Sequence, residues 1–182
     1  MELRDFFEME EEWEPVSRVS LVAWLVFYAL FFLHALTDAD GFLLLDNVNL
    51  IVHEAGHMLF SWLGPTATLY GGTLLQFLAP LALTFYFWLQ RKTTAVAFTV
   101  FCTFENCLYT GIYMADARAQ ALPLVVSGDP EPGSEHDWLM IFSRWGLLQQ
   151  DVALGHAVRA LGWLGMLATV GWLIYRQRQR PA

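Results

Sequence analysis

Two histidines and a glutamate stand in the pentapeptide His53-Glu54-Ala55-Gly56-His57, a spacing that is typical of a metal site. On a helix the two histidines are one turn apart and offset by about 40° around the axis, so both imidazoles can reach one metal ion. Glu54 lies about 100° from His53, where it can approach a metal-bound water rather than the metal. The motif therefore predicts a metal centre with two histidine ligands.

The stretch around this motif is otherwise apolar enough to enter a bilayer, and much of the chain has the same character. Of the 182 residues, 56% are hydrophobic and only 15% are acidic or basic, whereas a soluble domain has about 25% charged residues. This composition predicts an all-α fold, a polytopic bundle of membrane helices. Polar groups in a membrane segment are costly unless they have partners, which strengthens the prediction of a metal site.

Five apolar segments are long enough to cross a bilayer and form one transmembrane domain over residues 17–175. They lie at about 17–37, 42–63, 72–90, 93–114 and 155–175. An acidic segment, 1–16, precedes them, and a basic tail, 176–182, follows. Residues 115–154 are predicted to hold a polar loop and an amphipathic helix that lies in the membrane interface.

Glycines and prolines punctuate these segments. Gly64-Pro65 is predicted to end the second segment, and Gly71-Gly72 to open the third. Pro80 is predicted to kink the third segment, because a proline leaves one backbone carbonyl unpaired.

The basic residues constrain the orientation without fixing it. Arg91-Lys92 and the arginines after residue 175 favour the cytoplasm. Five full spans satisfy both if the acidic N-terminus is outside. If the segment with the histidines is re-entrant, the N-terminus is inside, and Arg18 favours this second arrangement. Both place residues 115–154 outside.

A polar stripe extends from the motif toward the N-terminal end of its helix. Asp46, Asn49 and His53 lie on one face, since seven residues return to within about 20° of the same direction. Two interpretations fit equally well: Asp46 supports His53 through intervening groups, or the stripe lines a water-filled cleft that admits water to the metal.

The stretch from Val52 to His57, followed by an apolar run and a glycine pair, resembles the site-two protease family of intramembrane zinc metalloproteases. The resemblance covers roughly residues 50–80. It implies that His53 and His57 bind Zn²⁺ and that Glu54 activates a water molecule. The family takes its third ligand from an aspartate in a Leu-Asp-Gly sequence, which this chain lacks.

A catalytic zinc has three protein ligands and one open position, so one ligand has still to be identified. Asp116 is the positional counterpart of the family's aspartate. His136 is favoured by its chemistry, because imidazole is the commonest metal ligand near neutral pH. Asp137 is expected to orient a ligand imidazole, and Glu105 is a weaker third candidate.

These residues predict a membrane-embedded zinc hydrolase, peptidase-like, with Glu54 as general base. Arg118, Gln120 or His136 would stabilise the oxyanion. The alternatives are a metalloprotein that acts on a lipid or another apolar substrate, and a non-catalytic subunit that binds metal or a partner. The expected partners are the lipid bilayer and a protein or lipid substrate. The absence of a basic patch excludes nucleic acid, and the expected location is the bacterial inner membrane.

Overall fold

The computed structural model describes residues 9–38, 41–122 and 136–179, and every regular element in these ranges is helical. The prediction of an all-α fold is confirmed. The helices are α1 (Arg18–Thr37), α2 (Asp46–Phe60), α3 (Pro65–Leu89), α4 (Thr93–Ala115), α5 (Asp137–Trp145) and α6 (Asp151–Arg178). Half of the predicted acidic segment (1–8), much of the polar loop (123–135) and the last tail residues (180–182) lie outside the described residues.

Local chemistry sets several helix ends. The Ser17 hydroxyl caps α1 by accepting a hydrogen bond of 2.9 Å from the backbone N–H of Ser20. Gly64 has a φ of +98°, and the chain can reverse there before Pro65 opens α3. As predicted, the Gly64-Pro65 pair separates the second helix from the third.

Among the described residues, four helices are long and apolar enough to cross a membrane: Arg18–Thr37, Pro65–Leu89, Thr93–Ala115 and Leu148–Arg178. The sequence predicted five. The difference is α2, which has 15 residues and is therefore about 22 Å long, short of the roughly 30 Å of a bilayer core. Its start is set by Asp46, whose carboxylate accepts a hydrogen bond of 2.7 Å from Leu43 N–H and leaves residues 42–45 outside the helix.

The third helix begins earlier than predicted. Gly71 and Gly72 do not open α3; they lie inside it, two turns after Pro65. α3 also continues through Pro80 to Leu89 as one element.

The short helix α5 corresponds to the predicted amphipathic helix. Its apolar face is buried against the end of α4, where Trp138, Ile141 and Phe142 pack on Met114 and Ala117. α4 is the central helix of the bundle, and its Phe101 packs between Tyr28 and Phe31 of α1 and Met166 of α6.

The segment before α2 descends along α4. Gly41 lies beside Ile112, the Phe42 ring packs 4.9 Å from the ring of Tyr109, and Asn49 bonds to Glu105. These α4 partners move progressively back from the C-terminal end of α4 toward its middle, so α2 starts deep in the bundle.

α2 then returns to the end from which the chain came. His53 contacts Gln76 of α3, Gly56 packs on Gly71, and His57 contacts Thr68, close to the start of α3. The chain from 41 to 64 therefore enters and leaves at the same end of the bundle, an arrangement in which α2 does not traverse it.

The opposite end carries Arg91, Lys92 and Arg176. Glu14 N–H donates to the carbonyl of Arg91 at 2.9 Å, and the Arg176 guanidinium lies 4.9 Å from the centre of the Trp13 ring. The segment before α1, the α3–α4 connection and the end of α6 thus meet at one end, while α5 and the histidine pair lie toward the other.

Candidate metal centre

The histidine pair on α2 faces a carboxylate from the first residue of α5. Asp137 Oδ2 lies 2.9 Å from His53 Nε2 and 3.2 Å from His57 Nε2. One possible ligand atom from each residue lies within 4.8 Å of the others. The side chains of His53 and Asp137 are about nine-tenths buried, and that of His57 is 21% exposed. The group is therefore compact, with one more accessible side at His57.

The other ring nitrogen of each histidine has a partner of its own. His57 Nδ1 lies 2.8 Å from the backbone carbonyl of Thr68, and His53 Nδ1 lies 3.0 Å from Gln76 Oε1. Because a carbonyl oxygen only accepts, each Nδ1 carries a proton, and Nε2 is the ring nitrogen that faces Asp137. Histidine ligands are oriented by an outer partner in this way in metal sites.

The two Nε2 atoms and one carboxylate oxygen thus converge on one point. Three electron-rich atoms at these distances repel one another unless a cation, either protons or a metal ion, lies among them. Two imidazoles and a carboxylate form a ligand set for Zn²⁺. The residues present therefore fit a zinc ion.

The Asp137 carboxyl is held in its charged form. Burial alone would raise its pKa, but the hydrogen bonds from His53 and His57 outweigh burial and hold the pKa below its usual range. An anionic carboxylate is the form that binds a metal ion.

Glycines let the imidazoles lie directly against the backbone of α3. A Cβ atom on Gly72 would lie 2.5 Å from His57 Nε2 and 2.6 Å from His53 Nε2. A Cβ on Gly56 would collide with the carbonyl of Gly71. Gly71-Gly72, which the sequence predicted to begin the third helix, therefore forms the surface on which the histidines pack.

Glu54 lies beside the ligand group without joining it. Its side chain is half-buried and makes no hydrogen bond or ion pair with the residues that the structure describes. Its charge lies within electrostatic range of His57 and Tyr113. The carboxylate is thus available to accept a proton from a bound molecule.

Asp116 and His136, the predicted third ligands, are not part of this group. Asp116 accepts hydrogen bonds from Ala121 N–H at 2.9 Å and Leu122 N–H at 3.1 Å, and His136 Nε2 lies 3.4 Å from its Oδ2. His136 also caps α5, accepting from Leu139 N–H, and burial lowers its pKa below the ordinary value despite the nearby Asp116 and Asp137 carboxylates. The two residues anchor the start of α5, which carries Asp137 to the histidines.

Glu105 is also separate from the metal group. It is fully buried in the middle of α4 and accepts a hydrogen bond of 2.9 Å from Asn49 Nδ2. Asn49 Nδ2 also lies 3.2 Å from the buried carboxylate of Asp46. The polar stripe of α2 therefore packs on α4 below His53 and does not line an open cleft.

The predicted oxyanion donors are engaged or distant. The Arg118 guanidinium bonds the Asp151 carboxylate at 2.7 and 2.8 Å, and Gln120 is exposed after the end of α4. Tyr113, which the sequence did not single out, lies at the site instead. Its hydroxyl oxygen accepts a hydrogen bond of 3.2 Å from Asp137 N–H, and its ring packs 4.1 Å from that of His136. Asn106, which accepts a hydrogen bond of 2.8 Å from Gln76 beside His53, lies seven residues earlier on the same face of α4, and this helical spacing is the signal for Tyr113.

No family model matches the chain, and neither a curated protein nor a solved structure is significantly similar to it.

Proposed function

We propose that the chain is a membrane-embedded zinc-dependent hydrolase, peptidase-like, in which His53, His57 and Asp137 hold the metal and Glu54 is the general base. The observation that carries this proposal is the convergence of two histidine Nε2 atoms and Asp137 Oδ2, with both Nδ1 atoms committed to other acceptors. The His53–His57 pentapeptide and the geometry of the three side chains together support the proposal, since the spacing of the two histidines alone does not identify the third ligand.

His53, His57 and Asp137 would hold a zinc ion, which would supply a Lewis acid and would lower the pKa of a bound water molecule. Glu54 accepts the proton of the attacking water and passes it to the leaving group. Because Tyr113 uses one lone pair for Asp137 N–H, its own O–H remains available to donate to the oxygen of a scissile carbonyl. Glu54 thus transfers the proton, and Tyr113 stabilises the negative charge that develops on the carbonyl oxygen.

The basic end of the bundle is assigned to the cytoplasm. With four spanning helices and a re-entrant α2, both termini are then cytoplasmic and the metal centre lies toward the outer face of the bacterial plasma membrane. His57 pairs with Thr68, only a turn below the start of α3, and His53 pairs with Gln76, about two turns deeper. We infer that the substrate is a membrane protein or lipid whose scissile bond lies near that face.

Metal content and turnover of matched variants test the proposal. The purified wild type should contain one zinc per chain, and His53→Ala should lose it. Glu54→Gln should retain zinc but lose at least about 100-fold in turnover of peptide and lipid ester substrates offered in bilayers, since general base catalysis contributes about 10²–10⁴-fold. Glu12→Gln, at an exposed position in the segment before α1, is the matched control. A wild type without stoichiometric metal contradicts the metal centre, and an active Glu54→Gln contradicts the role of the base.

A further inference from the structure

We propose that Pro80, Asn106 and Gln76 form a relay of backbone and side-chain contacts that holds His53 in its metal-binding tautomer. The inference rests on the proposed metal centre and assigns positioning roles to three residues outside it.

The relay begins at the proline. Pro80 has no N–H, so the Gln76 carbonyl, four residues earlier on α3, loses its helical partner, and the proline ring pushes that carbonyl off the helix axis. Asn106 of α4 takes the vacant place: its Nδ2 donates to the Gln76 carbonyl at 3.2 Å. Because a backbone carbonyl only accepts, this contact fixes which end of the Asn106 amide is NH₂.

The fixed Asn106 amide orients the Gln76 side chain. Asn106 Oδ1 accepts from Gln76 Nε2 at 2.8 Å, which turns Gln76 Oε1 toward His53. Gln76 Oε1 lies 3.0 Å from His53 Nδ1, and Nδ1 must therefore carry the proton. His53 Nε2 is then the nitrogen available to a metal ion among the three ligands. In each of these hydrogen bonds only one assignment of donor and acceptor is possible. The first assignment is fixed because Pro80 leaves the Gln76 carbonyl as a free acceptor.

Burial makes the orientation costly to reverse. Gln76 is 7% exposed and Asn106 is 1% exposed. A flipped amide in either residue would set two donors or two acceptors against each other away from water.

The relay gives His53 Nδ1 an acceptor oxygen, which His57 Nδ1 obtains directly from the backbone. His57 Nδ1 contacts the backbone carbonyl of Thr68, in the first turn of α3, whereas His53 Nδ1 contacts the side-chain carbonyl of Gln76. The backbone carbonyl released by Pro80 holds that side chain in place through Asn106.

The test compares three relay variants, Gln76→Leu, Asn106→Leu and Pro80→Ala, in lipid nanodiscs. Zinc affinity is measured by competition with a chelator, and Tm is measured on the same samples. Gln76→Leu should weaken zinc binding about 10–100-fold, the usual effect of losing an outer partner of a histidine ligand. Pro80→Ala restores an N–H for the Gln76 carbonyl, so it should raise Tm while weakening zinc binding toward the lower end of that range. Pro65→Ala, at the first position of α3 where no helical bond is at stake, and Gln90→Leu, at its C-terminal end, are the controls.

The opposite signs of the two effects in Pro80→Ala distinguish positioning from simple packing. If Gln76→Leu and Pro80→Ala bind zinc as tightly as the wild type, the relay is overturned. It is equally overturned if zinc affinity follows Tm across all the variants, because a packing role predicts that correlation.

The His53 tautomer is a second readout that needs no metal. In ¹⁵N-histidine-labelled protein, with the His53 signals assigned from His53→Gln, His53 should carry a proton at Nδ1 in the wild type and lose that preference in Gln76→Leu. A wild type that binds no zinc contradicts the proposed function, and the relay is then decided by this tautomer alone. An Nε2-protonated neutral His53 in the wild type would refute the relay.

Discussion

Asp137 supplies the one carboxylate that contacts both imidazole Nε2 atoms within the described part of the chain. A negative ligand offsets part of the charge of a divalent ion, so its loss should weaken binding more than the loss of an outer partner. Asp116, 21 positions earlier in the sequence, is the instructive comparison, since it is also a buried aspartate beside a histidine.

We therefore expect two isosteric substitutions to have opposite effects on zinc affinity and on stability. Asp137→Asn should lower zinc affinity by more than about 100-fold, beyond the range expected for an outer partner. Asp116→Asn should retain one zinc per chain and instead lower the free energy of unfolding by about 1–3 kcal/mol, because its carboxylate holds Ala121 and Leu122 N–H. Chelator competition and thermal melts on both variants measure the two effects. Zinc loss in Asp116→Asn with tight binding in Asp137→Asn would reverse the assignment.

The Tyr113 hydroxyl should contact a molecule bound at the site. Acetohydroxamate, a small chelating ligand with a carbonyl oxygen, can be titrated into Co²⁺-loaded protein and followed by the visible spectrum. Tyr113→Phe should keep metal affinity within about threefold and weaken acetohydroxamate about tenfold, the value of one hydrogen bond of about 1.4 kcal/mol. Tyr109→Phe, one turn earlier on α4, is the control. A loss of metal affinity with unchanged hydroxamate affinity would mean that Tyr113 only positions Asp137.

Some site residues could be predicted from the sequence, and others could not. His53, His57 and Glu54 follow from helical spacing, which is local. The third ligand depends on which of two adjacent residues, His136 or Asp137, faces α2, and residues adjacent on a helix point about 100° apart. Because His136 caps α5 and turns toward Asp116, Asp137 takes the inward direction. That choice is made by tertiary contacts, to which no spacing rule applies.

At the level of elements, the close contact between α2 and α3 sets the geometry of the centre. Gly56 and Gly71 let the two backbones touch, and Gly72 leaves room for both histidine Nε2 atoms. Small residues commonly permit such close approach between membrane helices. The sequence presented Gly71-Gly72 as a break because glycine is a poor helix former in general. Here tertiary packing overrides that preference.

Gly72→Ala should therefore damage the centre more than the fold. The added methyl group would lie 2.5–2.6 Å from both Nε2 atoms, so the rings must shift. We expect zinc affinity to fall at least about 10-fold and overpacking to cost about 1–3 kcal/mol of stability. Gly171→Ala on α6, where a Cβ meets nothing within 4 Å, is the control and should bind zinc like the wild type. Undiminished zinc binding in Gly72→Ala would show that the histidines lie farther from α3.

Over the whole molecule, the long helices could be predicted and the path of α2 could not. α1 and α4 match their predicted spans within a residue or two because a span-length apolar run has few alternatives in a bilayer. Residues 42–63 have enough apolar length to be taken for a span. Their course is decided by Asp46, which ends the descent, and by Asn49, which finds its partner in Glu105 at mid-bundle. Hydropathy does not register such pairings.

The path of α2 has a consequence for topology that reporter fusions can measure. A re-entrant α2 with four spanning helices puts both termini on one side, whereas five spans put them on opposite sides. Glu10, Glu14, Arg91, Lys92 and Arg176 lie at the same end of the bundle, and the proposed function takes that end as the cytoplasmic one. Green fluorescent protein fused at either terminus should therefore fluoresce in a bacterial host, and alkaline phosphatase should be inactive at both. Alkaline phosphatase inserted between residues 123 and 135 should be active, which controls for expression and export. An active phosphatase at the N-terminus together with a fluorescent C-terminus would establish five crossings and remove the re-entrant path, and with it the access of the metal centre from the outer face.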